Sequence, residues 1–92
     1  MTATTVTIDN RDYTVYRVNN DYYGNPRYVI GWIELGLPEY RSTKKTRAAG
    51  LKIYRGNDFG GGFVFQSYNV LHSLTFIINT LKNENNNRFN LI

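Results

Sequence analysis

The C-terminal third of this chain carries apolar side chains at the spacing of a helix. The apolar positions, three or four residues apart, are Val70, Leu71, Leu74, Ile77, Ile78 and Leu81. This spacing places them on one face of an amphipathic helix over about residues 70 to 82. Asn69 is a suitable N-cap, because its side-chain oxygen can accept a hydrogen bond from a free amide of the first turn. Such a helix has to bury its apolar face against another layer, and we expect that layer to be a sheet.

The first eighteen residues alternate apolar and polar side chains in two short runs. The runs TTVTID and DYTVYRV flank the turn formers DNRD, and this arrangement predicts a β-hairpin. Val6 and Ile8 share one face of the first strand, and Tyr13 and Val15 share one face of the second. Tyr16 falls on the opposite face, so both faces of the sheet are expected to be partly covered.

Three further runs have the composition of strands. RYVIGWIEL is almost continuously apolar, which predicts a central strand buried on both faces, and LKIYR and FVFQS follow as the fourth and fifth strands. We expect Ile30, Trp32 and Ile33 of the central strand to be buried together with Leu74 and Ile78 of the helix. In FGGGF we expect a hairpin loop or bulge that needs glycine, rather than a phosphate loop, because a strand and not a helix follows.

The remaining elements complete an α+β fold. EYRSTKKTRAA predicts a short helix over about residues 39 to 49, with Gly50 at its C-terminal stop. The order β-β-β-α-β-β-α predicts a single small domain, residues 1–83, with a mainly antiparallel five-stranded sheet and the C-terminal helix packed on one face. The Asn-rich segment 84–92 is expected to be a polar tail that adds little to the core.

The chain offers little chemistry for an enzyme. There is no cysteine, and the only histidine, His72, has no second base or metal ligand three or four residues before it. The carboxylates are scattered, and no serine lies in a glycine-flanked nucleophile turn. We therefore predict no catalytic residue, no metal, no cofactor and no small-molecule substrate. No run of eighteen apolar residues is present, and the N-terminus lacks the pattern of a signal peptide, so no membrane association is predicted.

A basic segment, RSTKKTRAAGLKIYR at residues 41–55, accounts for the net charge of +4. Its cations are Arg41, Lys44, Lys45, Arg47, Lys52 and Arg55. It contains no acidic residue, and the rest of the chain has five Lys or Arg against seven Asp or Glu. Aromatic residues flank it, and cations beside rings are typical of surfaces that bind nucleic acid or an acidic protein. The simpler interpretation is a solvated helix face.

A second candidate surface is the loop NDYYGNPRY. Tyr22, Tyr23 and Arg27 are the residue types enriched where partners bind, because they combine a large contact area with a polar end. The alternative is that one of the two tyrosines packs back on the edge of the sheet.

Two stretches, TVTIDNRDYTVYRVNNDYYGNPRYVIGWIELGL and DFGGGFVFQSYN, resemble a family of small phage anti-CRISPR proteins. That family inhibits the type I-F crRNA-guided surveillance (Csy) complex of gammaproteobacteria. The resemblance implies a non-enzymatic inhibitor that binds the Cas7 backbone subunits, the guide RNA or both, blocks recognition of target DNA, and acts in the cytoplasm of the infected bacterial host. A basic inhibitor cannot replace DNA by charge, so an acidic Cas surface or the RNA would meet the basic segment.

The alternative from another functional class is a free nucleic-acid-binding phage protein with an accessory or regulatory role. The same basic segment favours it, but the sequence shows no helix-turn-helix pair. The two interpretations differ in salt dependence, since binding to bare nucleic acid weakens steeply as salt rises.

Overall fold

The computed structural model describes residues 2–36, 47–48, 50–55 and 61–84. Within these ranges the elements are β1 (Thr2–Ile8), β2 (Arg11–Val18), β3 (Arg27–Gly31), β4 (Lys52–Tyr54), β5 (Gly62–Gln66) and helix α1 (Val70–Glu84). The strands form one antiparallel sheet in the order β1-β2-β3-β5-β4. The predicted α+β class, with a five-stranded antiparallel sheet and a C-terminal helix, is therefore confirmed.

The predicted hairpin is formed by β1 and β2. Ile8 pairs with Arg11, so only two residues form the turn. Asp9 and Asn10 have positive φ angles of 51° and 64°. Positive φ at both central residues gives a turn whose twist matches that of the flanking strands, and Asp and Asn tolerate this conformation better than most residues.

One face of the sheet carries the hydrophobic core. The pairing register places Val15, Ile30 and Phe63 side by side on β2, β3 and β5, and all three are fully buried. Helix α1 lies over this face, contacts β1, and buries Leu74 and Leu81 in the same cluster. On β3 both Val29 and Ile30 are fully buried, and because neighbouring side chains point to opposite faces, the central strand is covered on both sides as predicted.

The central strand is shorter than predicted. After Gly31 the chain turns, with the Leu35 amide donating to the Gly31 carbonyl at 3.3 Å. Leu35 returns to the core, Trp32 is partly buried at its margin, and Ile33 is 75% exposed. The expectation that Ile33 is buried was therefore wrong, because a tight turn directs it outward where a continuing strand would have buried it.

Helix α1 occupies its predicted position, but one residue of its predicted apolar face is exposed. The His72 amide donates to the Asn69 side-chain oxygen at 3.1 Å, which confirms the N-cap. Leu71, assigned to the apolar face from its spacing, is 53% exposed, whereas Leu74 is fully buried. Leu71 therefore lies at the solvent-exposed side of the contact between α1 and the sheet.

The predicted helix over 39–49 and the tail 84–92 lie almost entirely outside the described residues. Arg47 and Ala48 have helical backbone, and the Gly50 amide donates to the Arg47 carbonyl at 3.0 Å. Gly50 has a φ of 77°, the left-handed conformation that commonly follows the end of a helix. Glu84 is the last residue of α1.

The glycines of FGGGF are explained by close backbone approach. A Cβ on Gly62 would overlap the carbonyl group of Ile30, with 2.8 Å to the carbonyl carbon. Gly61 has a φ of 116°, and a Cβ there would lie 2.6 Å from Nε1 of Trp32. The expectation that this segment requires glycine is confirmed at these two positions.

Candidate functional site

The structure describes part of the predicted basic segment. Arg47, Lys52 and Arg55 are exposed. The other three predicted contacts, Arg41, Lys44 and Lys45, lie outside the described residues. Of the three described cations of the basic segment, Lys52 is the first residue of β4, so the sheet determines its position.

The second predicted surface, the loop between β2 and β3, presents two tyrosines to solvent. Tyr22 is 95% exposed and Tyr23 is 84% exposed. Their rings meet edge to face, with centroids 5.3 Å apart and an interplanar angle of 89°. Neither ring packs back on the sheet edge, so the alternative interpretation of this loop was wrong. Together they place a large area of aromatic surface in water.

Asp21 makes several hydrogen bonds within this loop. Its carboxylate accepts hydrogen bonds from the Tyr23 amide at 2.9 Å, the Asn25 amide at 2.8 Å and the Asn25 side-chain nitrogen at 3.1 Å. The Gly24 amide donates to the Asp21 carbonyl at 3.0 Å, and the Asp21 amide donates to the Asn25 carbonyl at 3.0 Å. An Asp that bonds the backbone ahead of it stabilises a turn, so the exposed tyrosines lie on a hydrogen-bonded turn.

The same contacts lower the pKa of Asp21 below its ordinary value of 3.8. The largest cause is the hydrogen bond from the Asn25 amide. Desolvation opposes it, while the Asn25 side chain, the Tyr23 amide and the charge of Arg27 add to it. A carboxylate that accepts several N–H bonds is stabilised in its ionised form. The support of the loop is therefore intact at neutral pH.

A third tyrosine extends the exposed aromatic surface towards the helix. Tyr68 is exposed, and its hydroxyl donates to the Asn25 side-chain oxygen at 2.6 Å. This bond joins the loop to the segment that leads into α1. We call Tyr22, Tyr23 and Tyr68 the tyrosine surface. The sequence prediction missed Tyr68, and its position directly before the N-cap Asn69 was the available signal.

Arg27 lies beside this surface at the start of β3. Its Nε–H donates to the Asn19 carbonyl at 2.9 Å, and the side chain is half-buried. The predicted loop residues Tyr22, Tyr23 and Arg27 are thus brought to one end of the sheet. Arg27 is half-buried, whereas Tyr22 and Tyr23 are exposed.

A groove of about 560 Å³ lies between α1 and strand β5, near the start of β4, and Asp21 of the loop between β2 and β3 is among its lining residues. Its lining includes Arg27, Lys52, Gln66, His72 and Phe76. The sequence prediction missed the groove, because its walls come from strands and a helix that are distant along the chain. His72, the only histidine, is an exposed residue on its rim.

Among the described residues no group of three or more His, Asp or Glu side chains is placed to hold a metal ion. No helix in the described part of the chain is long and apolar enough to cross a membrane.

Comparison with known proteins gives one family. Residues 6–87 match the family model described as Staphylococcus phage terminal repeat-encoded protein TreK. No curated protein and no solved structure gives a match. The matched region begins in β1 and extends beyond the last residue of α1, so it includes the whole sheet core, the tyrosine surface and the groove. The chain therefore belongs to the family of the Staphylococcus phage terminal repeat-encoded protein TreK.

Proposed function

We propose that this phage protein is a non-enzymatic accessory protein that binds a macromolecular complex of the infected bacterial cell through the tyrosine surface. The observation that carries the proposal is the exposed pair Tyr22 and Tyr23, edge to face on a loop held by Asp21. Covering these two rings on binding would remove apolar area from water, and a hydrogen-bonded support lowers the entropy lost on binding.

The composition of the surface favours a binding role. Tyrosine offers an apolar ring and a polar hydroxyl at a low cost in side-chain entropy, and it is enriched among residues that dominate binding energy. Tyr68 and the cation Arg27 extend the contact area around the pair. A surface of this kind can bind a partner, and binding of this kind needs no catalytic acid or base.

The more specific proposal for the partner follows the resemblance in the sequence. The partner is the type I-F crRNA-guided surveillance complex, and binding in the cytoplasm of the host blocks its recognition of target DNA. In this proposal the basic segment 41–55 meets the guide RNA or an acidic Cas surface. The tyrosine surface contacts a neighbouring protein surface of the same complex.

The alternative is a free nucleic-acid-binding protein, and one observation favours it. Exposed aromatic rings beside cations such as Arg27 are the combination on which unpaired bases stack. Such a protein binds bare single strands at low salt and loses affinity steeply as salt rises. A protein that recognises a complex binds the assembled complex and leaves bare strands unbound.

Affinity purification of the tagged full chain from expressing host cells tests the general proposal. The decisive variant is Tyr22→Ser/Tyr23→Ser, and the matched control is Ile33→Ser, an exposed apolar residue beyond the opposite end of β3. We expect one complex to co-purify with the wild type and the control, and to be lost from the double variant. Equal recovery with all three proteins would exclude the tyrosine surface as the contact.

Purified components test the partner. We expect the wild type to bind the type I-F surveillance complex and to prevent its binding to target DNA. Replacing Arg41, Lys44 and Lys45 together by Glu reverses three charges of the basic segment and should weaken this binding at two salt concentrations. A wild type that ignores the complex, or binds a bare oligonucleotide more tightly, would refute the more specific proposal.

A further inference from the structure

Among the described strands, the two at the edges of the sheet differ in length and in charge. β4 has three residues and begins with Lys52, whereas β1 has seven residues, TATTVTI, and carries no charged side chain. The pairing of β1 with β2 runs without interruption from Thr2 to Ile8, so no bulge bends the strand. Short length, lysine, proline and bulges keep a sheet edge from pairing with another strand, and β1 has none of these features.

Every second residue of β1 directs its main-chain N–H and C=O groups away from β2. The Thr14 amide donates to Oε1 of Glu34 at 2.7 Å, so it does not bond Thr5, the residue opposite it on β1. Opposite residues of an antiparallel pair exchange both of their hydrogen bonds or neither, and the two cases alternate along the strand. The N–H and C=O groups of Ala3, Thr5 and Thr7 therefore point to the outer side of β1, where the described strands provide no partner.

The outer side of β1 is accessible to another chain. Ala3, Thr5 and Thr7 are exposed, and so are Thr2 and Thr4. Because neighbouring side chains point to opposite faces, both faces of the first half of β1 are uncovered. A second strand can therefore lie alongside β1 without displacing any described element of the fold.

A second copy of β1 fits this edge with complete overlap. Antiparallel pairing about a two-fold axis at Thr5 sets the two Thr5 residues opposite each other and sets Ala3 of each copy opposite Thr7 of the other. All seven residues of β1 are then paired, and the outward groups form three pairs that exchange two hydrogen bonds each. Moving the axis by one residue in either direction leaves only two such pairs within β1, so the register centred on Thr5 is favoured.

The side chains that meet in this register are compatible. On one face Val6 lies beside Thr4 of the other copy, and Ile8 lies beside Thr2. β-branched side chains paired across strands stabilise an antiparallel sheet, and no like charges lie opposite each other here. An uncharged edge offers no electrostatic attraction to a charged partner strand, whereas a second β1 matches it in length, hydrogen-bonding pattern and lack of charge.

We propose that β1 pairs with β1 of a second copy, so that the protein forms a two-fold symmetric dimer with one continuous antiparallel sheet. Thr2 pairs with Arg17, close to the loop that carries Tyr22 and Tyr23, so the dimer presents its two tyrosine surfaces at opposite ends of the joined sheet. β1 supplies far fewer residues than the roughly 20–30 a side of a standard interface, so we expect a Kd of about 10–100 µM. The inference goes beyond the proposed function, which concerns the tyrosine surface of a single copy.

Sedimentation equilibrium and amide hydrogen exchange of the full-length wild type test the inference directly. Between about 10 µM and about 1 mM the mass should rise from that of a monomer towards that of a dimer. Over the same range the exchange of the Ala3, Thr5 and Thr7 amides should slow by about threefold or more, because the dimer occupies their outward N–H groups. The Thr4 and Val6 amides, which point to β2, should keep their rates. A wild type that stays monomeric at about 1 mM, or a dimer that protects amides outside β1 and leaves these three unchanged, would overturn the inference.

Variants at the two-fold axis test the register. Thr5→Lys sets two like charges opposite each other and should raise the Kd of the dimer by about fivefold or more. Gln66→Lys adds the same charge at an exposed position of β5 and should leave the Kd unchanged. Mixing Thr5→Lys with Thr5→Glu should restore the dimer, because opposite charges then meet at the axis. A Kd for Thr5→Lys equal to that of the wild type would refute pairing through β1.

One further variant separates this inference from the proposed function. Tyr22→Ser/Tyr23→Ser should dimerise as the wild type does, although it should lose the cellular complex. Loss of the dimer in this variant would place the contact between copies at the tyrosine surface and overturn the inference.

Discussion

Truncation of Leu74 tests the packing of the helix on the sheet. Leu74 is fully buried in the cluster that joins α1 to β1, β2, β3 and β5. Leu74→Ala removes three carbon atoms, and at about 0.8 kcal/mol per buried methylene the lost transfer free energy is about 2.4 kcal/mol. The unfilled cavity adds to this, so we expect the free energy of unfolding to fall by about 3 kcal/mol.

Leu71→Ala is the matched control, because it makes the same chemical change three residues earlier on the same helix. Leu71 is 53% exposed, so only about half of the transfer term is lost and the surrounding residues leave no closed cavity. We expect this variant to lose about 1 kcal/mol or less. The difference of about 2 kcal/mol between the two variants is due to the greater burial of Leu74.

Thermal unfolding followed by circular dichroism measures both variants. For a domain of this size, 1 kcal/mol shifts the Tm by about 4–8 °C, so Leu74→Ala should melt at least 12 °C below the wild type. Urea titration gives the free energies without the temperature dependence. Equal losses in the two variants would refute the helix-on-sheet core, since the two leucines differ in burial and in little else.

Three further outcomes are expected. Gly62→Ala should destabilise the fold by roughly 3 kcal/mol or more, because its Cβ overlaps the Ile30 carbonyl, whereas Gly50→Ala meets only the strain of positive φ, about 1–2 kcal/mol; comparable urea midpoints would contradict this. Since the folded pKa of Asp21 is lowered, its stabilisation of the loop is present above pH 3.8 and is lost as pH falls through the folded pKa. An NMR titration that gave its carboxyl a pKa at or above 3.8 would contradict this. Deleting residues 84–92 should leave a soluble protein with an unchanged melting temperature, and insoluble protein would show that the tail belongs to the core.

The sequence correctly predicted features that depend on neighbours within a few residues. Alternation over β1 and β2, the hairpin between them and the Asn69 cap are local, so the residues that determine them are adjacent in the chain. The same holds for Tyr22 and Tyr23, since turn formers on both sides make a loop there regardless of the packing elsewhere. Two of the three residues of the tyrosine surface were therefore available from the sequence.

The sequence misassigned residues whose burial depends on how two elements meet. Leu71 and Leu74 both fit the apolar spacing of α1. Only the placement of the helix over the sheet decides which of the two leucines is buried against the sheet. Ile33 has the composition of a buried strand residue, yet the chain turns after Gly31 so that Leu35 can enter the core.

The sequence by itself determined the five strands and the C-terminal helix, because hydrophobic periodicity and turn chemistry act over short distances along the chain. Tertiary structure alone decided the sheet order β1-β2-β3-β5-β4, the bond between Tyr68 and Asn25, and the groove between α1 and β5. Each of these joins segments far apart in the chain. Their contact follows from burying the helix and both faces of the central strand at once, which no local pattern of residues encodes.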